Sequence, residues 1–254
     1  MQKVLITAGA SGIGYALAER FSNAGYQIWI IDISKEALKK CPNDWNKNYV
    51  DVCDENAMSF FFEKIYDKWA GLDVLCANAG TAGPTALIED QDTEAFRSCL
   101  DVNLTGAFLS VKGSLPIMKK QKNGTIIFTS STAGLNGFPY RSPYSASKWA
   151  IHGFMKTLAM EAGPFGIRAN AIAPGCVEGA RIEAVIEREA AKKNTTPDVI
   201  REAYKSGTSL QTFIDAQDIA SMALFLASDQ AVRISGQVIA VDGHTENPDP
   251  KIYI

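Results

Sequence analysis

"KVLITAGASGIGYALAERF", residues 3–21, passes from a short apolar run through a glycine-rich turn into a segment whose apolar residues recur with helical spacing. The run predicts a buried β-strand and the periodic segment predicts an α-helix. Glycine lets the main chain come close to a ligand, and the first turn of a helix offers free N–H groups and a partial positive charge. The stretch therefore predicts a strand-turn-helix unit that binds a phosphate group. The alternative is a tight connection of the kind found in any α/β protein.

The alternation of strand and helix continues along the chain. Short β-branched runs open the segments "YQIWIIDISKEALKK" and "NYVDVCDENAMSFFFEKIYDKW", and further strands are predicted at "LDVLCANAG", "GTIIFTSS", "GIRANAIAPG" and "GQVIAVDG". Helices are predicted from about Thr93 to Lys120 and after Pro143. Runs such as "TIIF" lack polar alternation, as expected for parallel strands covered on both faces. We predict for residues 1–254 a single-domain, Rossmann-type α/β fold: a doubly wound, parallel, seven-stranded sheet with helices on both faces.

Two segments depart from this rhythm. Residues 177–213 are charged and helical in pattern, with "EGARIEAVIEREAAKK" inserted between two strands, and we predict a substrate lid there. Residues 244–254 form a C-terminal tail that ends in Ile252, Tyr253 and Ile254, which are apolar for a solvated terminus. We expect this tail either to pack on a neighbouring subunit or to be a free terminus.

Composition excludes several classes of function. The chain has 25 basic and 28 acidic residues, a formal charge of -3, and no basic block, so we expect no nucleic-acid or membrane partner. Its five cysteines are spread widely without a C-x-x-C pair, and two histidines offer little for a metal site, so we predict no bound metal. The start "MQKVLITAGASG" lacks the pattern of a targeting signal. We expect a cytoplasmic protein whose partners are a small-molecule substrate and other copies of itself.

The glycine turn and the end of the second predicted strand indicate which dinucleotide binds. Asp32 lies about twenty residues beyond the glycines, where a carboxylate can accept hydrogen bonds from the adenosine ribose and repel a 2′-phosphate. Ile33 and Ser34 are neutral, so we predict NAD rather than NADP. Lys35 is the nearby cation that opposes this choice. Asp32 could alternatively serve only as a helix cap for "SKEAL".

Over nearly its whole length, from Val4 to about Gly243, the chain resembles a classical short-chain dehydrogenase/reductase. The residues that carry the resemblance are the glycine turn, "NAG" at 78–80, Asn103 in "DVNLTGAF", Ser131 in "FTSSTAG", "YSASK" with Tyr144 and Lys148, and Pro174-Gly175. Each motif is weak alone, but their order and their positions at strand ends make coincidence very improbable. The resemblance implies hydride transfer between an alcohol or ketone and a nicotinamide cofactor, and a homotetramer or homodimer.

Hydride transfer from an alcohol requires its hydroxyl proton to leave, and Tyr144 is the predicted base. A free phenol has a pKa near 10. Lys148, one helical turn away, and the helix N-terminus after Pro143 both favour the phenolate. By resemblance, Lys148 also contacts the nicotinamide ribose, Ser131 positions the substrate oxygen and Asn103 supports a proton-relay water. Ser130 is the rival to Ser131, and Asn103 could instead cap or kink its helix. We expect His152 at a subunit contact rather than in catalysis.

The resemblance also implies a set of cofactor contacts. They are Gly9, Ser11, Gly12, Ile13, Gly14, Asp32, Ile33, Asp51, Val52, Asn78, Ala79, Gly80, Tyr144, Lys148, Pro174, Gly175 and Val177. The chain departs from the family at Ala8, where glycine is usual, at Ala77, where a second asparagine is usual, and at Glu178-Gly179, where many relatives carry a threonine that contacts the cofactor. We expect small geometric effects from the first two.

Substrate specificity should reside in the loops at the carboxyl ends of the strands and in the predicted lid. The predicted substrate-binding residues are Ser131, Ala133, Phe138, Tyr144, Glu178 and Arg181. Apolar walls combined with Glu178 and Arg181 predict a small polar secondary alcohol, of the polyol, sugar alcohol or hydroxy acid type, or its ketone. Two alternatives stay open: a 3-oxoacyl thioester reductase, and a non-catalytic dinucleotide-sensing or scaffolding protein.

Overall fold

The computed structural model describes residues 1–247, so Ile252, Tyr253 and Ile254 of the predicted tail lie outside the described residues. Seven parallel strands form one sheet in the order β3-β2-β1-β4-β5-β6-β7. The strands are β1 Lys3–Thr7, β2 Gln27–Asp32, β3 Asn46–Tyr49, β4 Val74–Ala77, β5 Gly124–Thr129, β6 Ile167–Pro174 and β7 Val238–Val241. This confirms the predicted doubly wound α/β sheet.

Helices connect the strands and cover both faces of the sheet. They are α1 Gly12–Asn23, α2 Lys35–Lys40, α3 Glu55–Trp69, α4 Thr93–Leu100, α5 Gly106–Gln121, α6 Ser142–Ala162, α7 Ala180–Lys192, α8 Pro197–Ser206 and α9 Ala216–Ala227. Short 3₁₀ turns lie at Ile88–Asp90, Thr132–Gly134, Gly163–Phe165 and Asp229–Ala231. Among residues 1–247, no helix combines the length and the apolar character needed to cross a membrane.

Alternating side chains of each strand separate the core into two layers. Leu5 and Trp29 point to the layer that α3, α5 and α6 cover, where Trp29 packs edge-on against Phe61 and Trp69. Val4 and Ile30 point to the opposite layer, which α1 and α9 cover. Both neighbours in a strand are buried because helices lie on both faces, which is why the strands read as continuous apolar runs.

Side-chain hydrogen bonds join the carboxyl ends of the central strands β1, β4 and β5. Thr7 Oγ1 accepts from the backbone N–H groups of Asn78 and Ala79, both at 2.9 Å. The Asn78 side chain donates to Thr7 O at 3.1 Å and accepts from Thr129 Oγ1 at 3.0 Å. Between β1 and β4 the strand order reverses, and a crevice at such a point is where open α/β sheets bind ligands.

The helix predicted from about Thr93 to Lys120 is not regular. α4 and α5 are joined by one turn of π-helix, Asp101–Thr105, which contains Asn103. A π-turn adds a residue to the helix and is frequent at functional sites. The Asn103 side chain bonds with Thr81 in the loop after β4 and with Ser147 of α6, contacts that helical spacing in the sequence does not indicate.

The predicted lid contains α7 and α8, and backbone hydrogen bonds hold its two ends next to each other. Ile214 N–H donates to Cys176 O at 2.8 Å, and Glu178 N–H donates to Ile214 O at 2.9 Å. The insert has a small core of its own, formed by Ile186, Ala190, Ile200, Tyr204 and Phe213. It is therefore a packed helical unit on a narrow stem at the carboxyl end of β6.

Three details differ from the sequence predictions. β3 begins two residues before the predicted "NYVDV" and ends at Tyr49, because Lys47 and its neighbours pair with β2. Helix α9, which the strand-helix pattern did not indicate, packs an apolar face against α1. The start of the tail is fixed: Thr245 bridges to Thr208, and Glu246 N–H donates to Gly207 O at 2.9 Å.

Candidate active site

A cleft of about 400 Å³ runs along the carboxyl ends of β1, β4, β5 and β6. The glycine turn lies at one end and the α7–α8 insert at the other. Ten of the predicted cofactor residues line it: Ser11, Gly12, Ile13, Gly14, Asn78, Gly80, Tyr144, Lys148, Pro174 and Val177. All of the predicted substrate-binding residues line it as well: Ser131, Ala133, Phe138, Tyr144, Glu178 and Arg181.

Two positions of the glycine turn need glycine for different reasons: Gly14 has no room for a side chain, and Gly12 has a left-handed backbone conformation. A Cβ at Gly14 would lie 1.9 Å from Ala8 O and 2.8 Å from Asn78 Nδ2, so this position allows no side chain. Gly12 has a φ of +51° with open space where a Cβ would point, so its main chain faces the cleft. Ala8, where the family usually has glycine, also adopts a left-handed φ of +50°. The departure at Ala8 therefore stores backbone strain.

Asp32 is positioned by the backbone on both sides of it. Its carboxylate is 8 % exposed and accepts from Ala10 N–H at 3.1 Å and from Ser34 N–H at 2.9 Å. The cap of α2 is Ser34, whose hydroxyl accepts from Ala37 N–H at 3.1 Å, so Asp32 is not the helix cap. Asp32 thus presents a fixed negative charge next to the glycine turn.

The remaining predicted cofactor residues lie outside the cleft wall. Gly9 packs against Ile30, Gly175 packs against Asp242, and Val52 packs against Gly106. Asp51 is exposed and accepts from Cys53 N–H at 2.9 Å. Ala79 is held by Thr7, and Ile33 is 64 % exposed beyond the end of β2. These residues shape or extend the site rather than line the pocket.

Tyr144 stands at the centre of the cleft, surrounded by cations. Lys148 Nζ lies 5.7 Å from the centre of its ring, and the guanidinium carbons of Arg141 and Arg181 lie 4.9 and 5.8 Å away. Burial by itself would raise the pKa of the phenol, but Arg181, Lys148, a hydrogen bond with Ser131 and Arg141 together hold that pKa below its ordinary value. The arrangement can therefore supply a phenolate base.

Adjacent serines at the end of β5 point in different directions. Ser131 faces Tyr144, and its hydroxyl accepts from Ala133 N–H at 3.2 Å. Ser130 Oγ instead lies 2.7 Å from His152 Nε2, inside the chain. The expectation that His152 lies at a subunit contact is wrong, because His152 is buried against Ser130 within the subunit. Burial and the nearby Lys148 lower the pKa of His152, which keeps it neutral.

Lys148 and Asn103 are both buried, at 3 % and 1 % exposure. Lys148 Nζ donates to Thr129 O at 2.7 Å, and burial lowers the pKa of its ammonium although Tyr144 opposes this. Asn103 accepts from Thr81 N–H at 2.7 Å and donates to Ser147 Oγ at 2.9 Å. Asn103 therefore ties the loop after β4 to α6, one residue from Lys148.

The cleft fits a nicotinamide dinucleotide. The open backbone at Gly12 and the N-terminus of α1 suit a pyrophosphate. Asp32 suits the adenosine ribose, and the Tyr144–Lys148 pair marks where the reacting end would lie. When bound, the nicotinamide supplies the acceptor or donor of hydride.

The substrate end of the cleft is more charged than the sequence indicated. Phe138 stacks on Tyr204, with ring centres 6.3 Å apart, and Arg141 lies beside them. The predicted contact Glu178 lines the cleft, but Arg201 donates to both of its carboxylate oxygens at 2.6 Å, so its charge is already paired. Arg141 was not predicted, although its position just before Pro143 and Tyr144 was a signal for it.

Comparisons with known proteins agree with this geometry. A family profile described as "Enoyl-(Acyl carrier protein) reductase" matches residues 7–244. The chain is 35 % identical over 246 residues to the 3-oxoacyl-[acyl-carrier-protein] reductase FabG of Thermotoga maritima, which covers 94 % of this chain and 95 % of that protein. It is 32 % identical over 249 residues to the D-beta-hydroxybutyrate dehydrogenase of Rhizobium meliloti, covering 94 % and 96 %.

Solved structures give the same result. An NAD⁺-bound xylitol dehydrogenase superimposes with a TM-score of 0.92 at 28 % identity, covering 95 % of this chain and 98 % of that one. A carveol dehydrogenase from Mycobacterium avium in complex with NAD gives 0.90 at 26 % identity, covering 96 % of both chains. The fold, the Tyr144 site and these similarities define an oxidoreductase. The chain belongs to the classical short-chain dehydrogenase/reductase family.

Proposed function

We propose that this protein is an NAD(H)-dependent oxidoreductase that interconverts a small polar secondary alcohol, of the polyol, sugar alcohol or hydroxy acid type, and its ketone. The observation that carries the proposal is Tyr144, which shares one cleft with Ser131 and Lys148 and has its phenol pKa held down by neighbouring cations. A protein that only bound a dinucleotide would have no use for such a base.

Four side chains of this protein would move the proton and position the substrate. Tyr144 phenolate takes the hydroxyl proton in the oxidative direction, and the phenol returns it to the ketone oxygen in reduction. Ser131 holds the substrate oxygen beside Tyr144. Lys148 stabilises the phenolate, and Asn103 fixes the loop and helix that position Lys148. Pro174 and Val177 line the cleft, where they would cover the nicotinamide.

Three observations support NAD as the cofactor. Asp32 is held by two backbone N–H groups next to the glycine turn, where its carboxylate would repel a 2′-phosphate, and Ile33 is neutral. The nearby cation Lys35 lies over the Tyr49 ring, 4.8 Å from its centre, rather than toward Asp32. Two structural neighbours are named as NAD complexes.

The test is reduction of NAD⁺ and NADP⁺ by a panel of polyols, sugar alcohols, hydroxy acids and hydroxyacyl thioesters, followed by nicotinamide absorbance. We expect turnover with NAD⁺ on one polar class, with Tyr144→Phe as the inactive control. Binding of NAD⁺ without turnover of any alcohol or ketone in either direction would instead favour the sensing or scaffolding role.

A second candidate is a 3-oxoacyl thioester reductase. It is favoured by the similarity to the Thermotoga maritima reductase. Phe165, in the turn after α6 where an acyl carrier protein would dock, is 39 % exposed and apolar and weakens this candidate. Such an enzyme would use NADPH, and its acidic carrier protein would dock on positive charge. Faster turnover of a 3-oxoacyl thioester with NADPH than of any free alcohol with NAD⁺ would select this candidate.

We also propose that the protein is a cytoplasmic homotetramer or homodimer. α5 and α6 expose large apolar side chains, Phe108 at 45 %, Trp149 at 52 % and Met160 at 80 %, which a second copy would cover. Light scattering gives the mass, and the same measurement on a variant lacking residues 248–254 tests whether the tail contributes to assembly.

A further inference from the structure

Arg141 is a buried cation whose guanidinium is only partly satisfied. The residue is 6 % exposed and lines the cleft beside Tyr144 and Phe138. Its Nη2 donates to Ala82 O at 2.9 Å, whereas its Nε is buried with no hydrogen-bond partner. A guanidinium has five N–H donors and stays charged at neutral pH, so an unfilled donor at this depth is costly.

No carboxylate within residues 1–247 forms an ion pair with Arg141 or with Arg181. The acidic groups of the insert are engaged elsewhere. Glu178 and Glu183 pair with Arg201, and Glu189 pairs with Lys193 at 2.8 Å and accepts from Tyr204 at 2.5 Å. Two arginines therefore face the reacting tyrosine with their charge unpaired in the described chain.

Burying an unpaired charge is unfavourable, and proteins keep such a group where a ligand neutralises it. We infer that Arg141, assisted by Arg181, forms an anion-binding subsite for the carboxylate of the substrate. The substrate class is thereby narrowed, within the proposed function on which this inference rests, from polar alcohols in general to short hydroxy acids and their oxo acids.

The position of Arg141 decides which part of a ligand the subsite would take. Its guanidinium carbon lies 4.9 Å from the Tyr144 ring centre, at the substrate end of the cleft, whereas a cofactor 2′-phosphate would lie beside Asp32 and the glycine turn. The planar fork of arginine matches a carboxylate with two parallel hydrogen bonds. Phe138 and Tyr204 line the same cleft and would give a short carbon chain an apolar wall.

The experiment compares the turnover of a hydroxy acid with the turnover of its uncharged amide. The kcat/KM values for 3-hydroxybutyrate and for its amide, and for lactate and its amide, are measured with NAD⁺ in wild type, Arg141→Met, Arg141→Lys and Arg181→Gln. The ratio of acid to amide isolates recognition, because any change in the Tyr144 pKa affects both substrates alike. Arg20→Gln, an exposed arginine of α1, is the matched control.

We expect Arg141→Met to lower the ratio by about 100-fold, the loss typical of removing one partner of a buried charge pair. Arg141→Lys should lower the ratio less than Arg141→Met does. Arg181→Gln should lower it by about two- to fivefold, since that arginine is exposed. An unchanged ratio in Arg141→Met would overturn the inference while leaving the proposed function intact. Failure of wild type to oxidise any alcohol would instead count against the proposed function.

A binding measurement tests the subsite without catalysis. Malonate at constant ionic strength should raise the melting temperature of wild type relative to chloride, and malonamide should not. Arg141→Met should fold, because no ion pair is broken within the described chain, and should lose the malonate shift. An equal shift in wild type and Arg141→Met would overturn the inference. The malonate shift should persist in a variant lacking residues 248–254, and its loss there would assign the effect to the tail.

Discussion

The two ends of the cleft differ in how completely the chain satisfies its own polar groups. At the cofactor end, Asp32 accepts two backbone N–H groups, and Thr7, Asn78 and Thr129 bond one another. At the substrate end, the Nε of Arg141 has no partner, and Arg181 has no carboxylate among residues 1–247. The side chains of the cofactor end are thus paired within the chain, and we call it the finished end, although the N-terminus of α1 stays open for a pyrophosphate. The substrate end, whose arginines lack carboxylate partners in the described chain, is the unfinished end.

This difference separates stability from specificity. Groups paired within the chain hold the cleft in shape before anything binds, so changing them should alter folding as much as binding. Groups left unpaired add no stability and, when buried, cost some, so changing them should alter mainly which ligand is accepted.

Tyr144→Phe should abolish turnover without disturbing either end of the cleft. Removing a general acid-base group costs about 10²- to 10⁴-fold in kcat. The phenyl ring keeps its contacts with Arg141 and Lys148, so the melting temperature and the Kd for NADH, followed by fluorescence, should match wild type. Residual kcat within tenfold of wild type would remove Tyr144 from the proposed role.

Gly14→Ala should test the finished end directly. The added Cβ would lie 1.9 Å from Ala8 O, and relief requires a backbone shift, so we expect a loss of about 3 kcal/mol in the free energy of unfolding. Gly12→Ala is the matched control: its Cβ meets nothing within 4 Å but enters the cleft. Gly12 has a φ of +51°, so its alanine variant also carries about 1–2 kcal/mol of backbone strain. Urea titration and NADH binding should separate the two variants, with Gly14→Ala losing more stability and Gly12→Ala losing more affinity. Equal losses of stability would contradict the contrast.

The finished end is also the part that the sequence predicted best. The strand runs, the glycine turn and Asp32 carry local signals, so the seven-stranded parallel sheet and the positions of Tyr144 and Lys148 were predictable. The strand order was not predicted. The need for glycine at position 14 was predictable because the atom that excludes a side chain, Ala8 O, is close in sequence. The packing reasons for Gly9 and Gly175 depend on Ile30 and Asp242, which are distant in sequence.

The unfinished end was predicted less well because its properties come from pairings between distant residues. The sequence contains no sign that Glu178 has a partner, whereas in the fold Arg201 donates to both of its carboxylate oxygens. Arg141 looks like an ordinary charged residue before a helix, and only the fold shows that it is buried and lacks a carboxylate. The π-turn at Asn103 likewise depends on Thr81 and Ser147. Periodicity reports burial but cannot report which charges remain unpaired.

Asp32→Ser should change cofactor choice. Loss of a charged hydrogen bond costs about 1.5–3 kcal/mol, so kcat/KM for NAD⁺ should fall by roughly 10- to 100-fold while that for NADP⁺ rises or stays constant. The ratio of the two is the measurement. Adding Lys35→Ala should reduce NADP⁺ use again only if Lys35 leaves Tyr49 to meet the 2′-phosphate. A ratio unaffected by Asp32→Ser would show that this carboxylate serves the backbone alone.

Arg181→Gln should move the pH dependence of kcat upward. The active form of Tyr144 is the phenolate, its fraction rises with pH through the pKa, and Arg181 is the foremost of the cations that lower that pKa. Without Arg181 the pKa of Tyr144 rises, so the increase of kcat with pH should move to higher pH. Arg188→Gln, on the same helix α7, is the control and should not move the profile. A downward shift would contradict the assigned charge effect.

Ala8→Gly should give the smallest effect and should raise stability. Ala8 has a φ of +50°, and a non-glycine residue in that region costs about 1–2 kcal/mol. Glycine removes the strain but adds unfolded-state entropy of about 0.4–1 kcal/mol, so the net gain should be about 0.5–1 kcal/mol. Differential scanning calorimetry measures the gain in stability. The matched control is Ala70→Gly, at a φ of +53° at the end of α3 and far from the cleft.

If both variants gain equal stability and NADH binding is unchanged, the strain at Ala8 is a departure from the family that the protein tolerates. If Ala8→Gly gains stability but binds NADH more weakly, the strained alanine holds the turn in the shape that the cofactor needs, and the finished end carries function as well as stability.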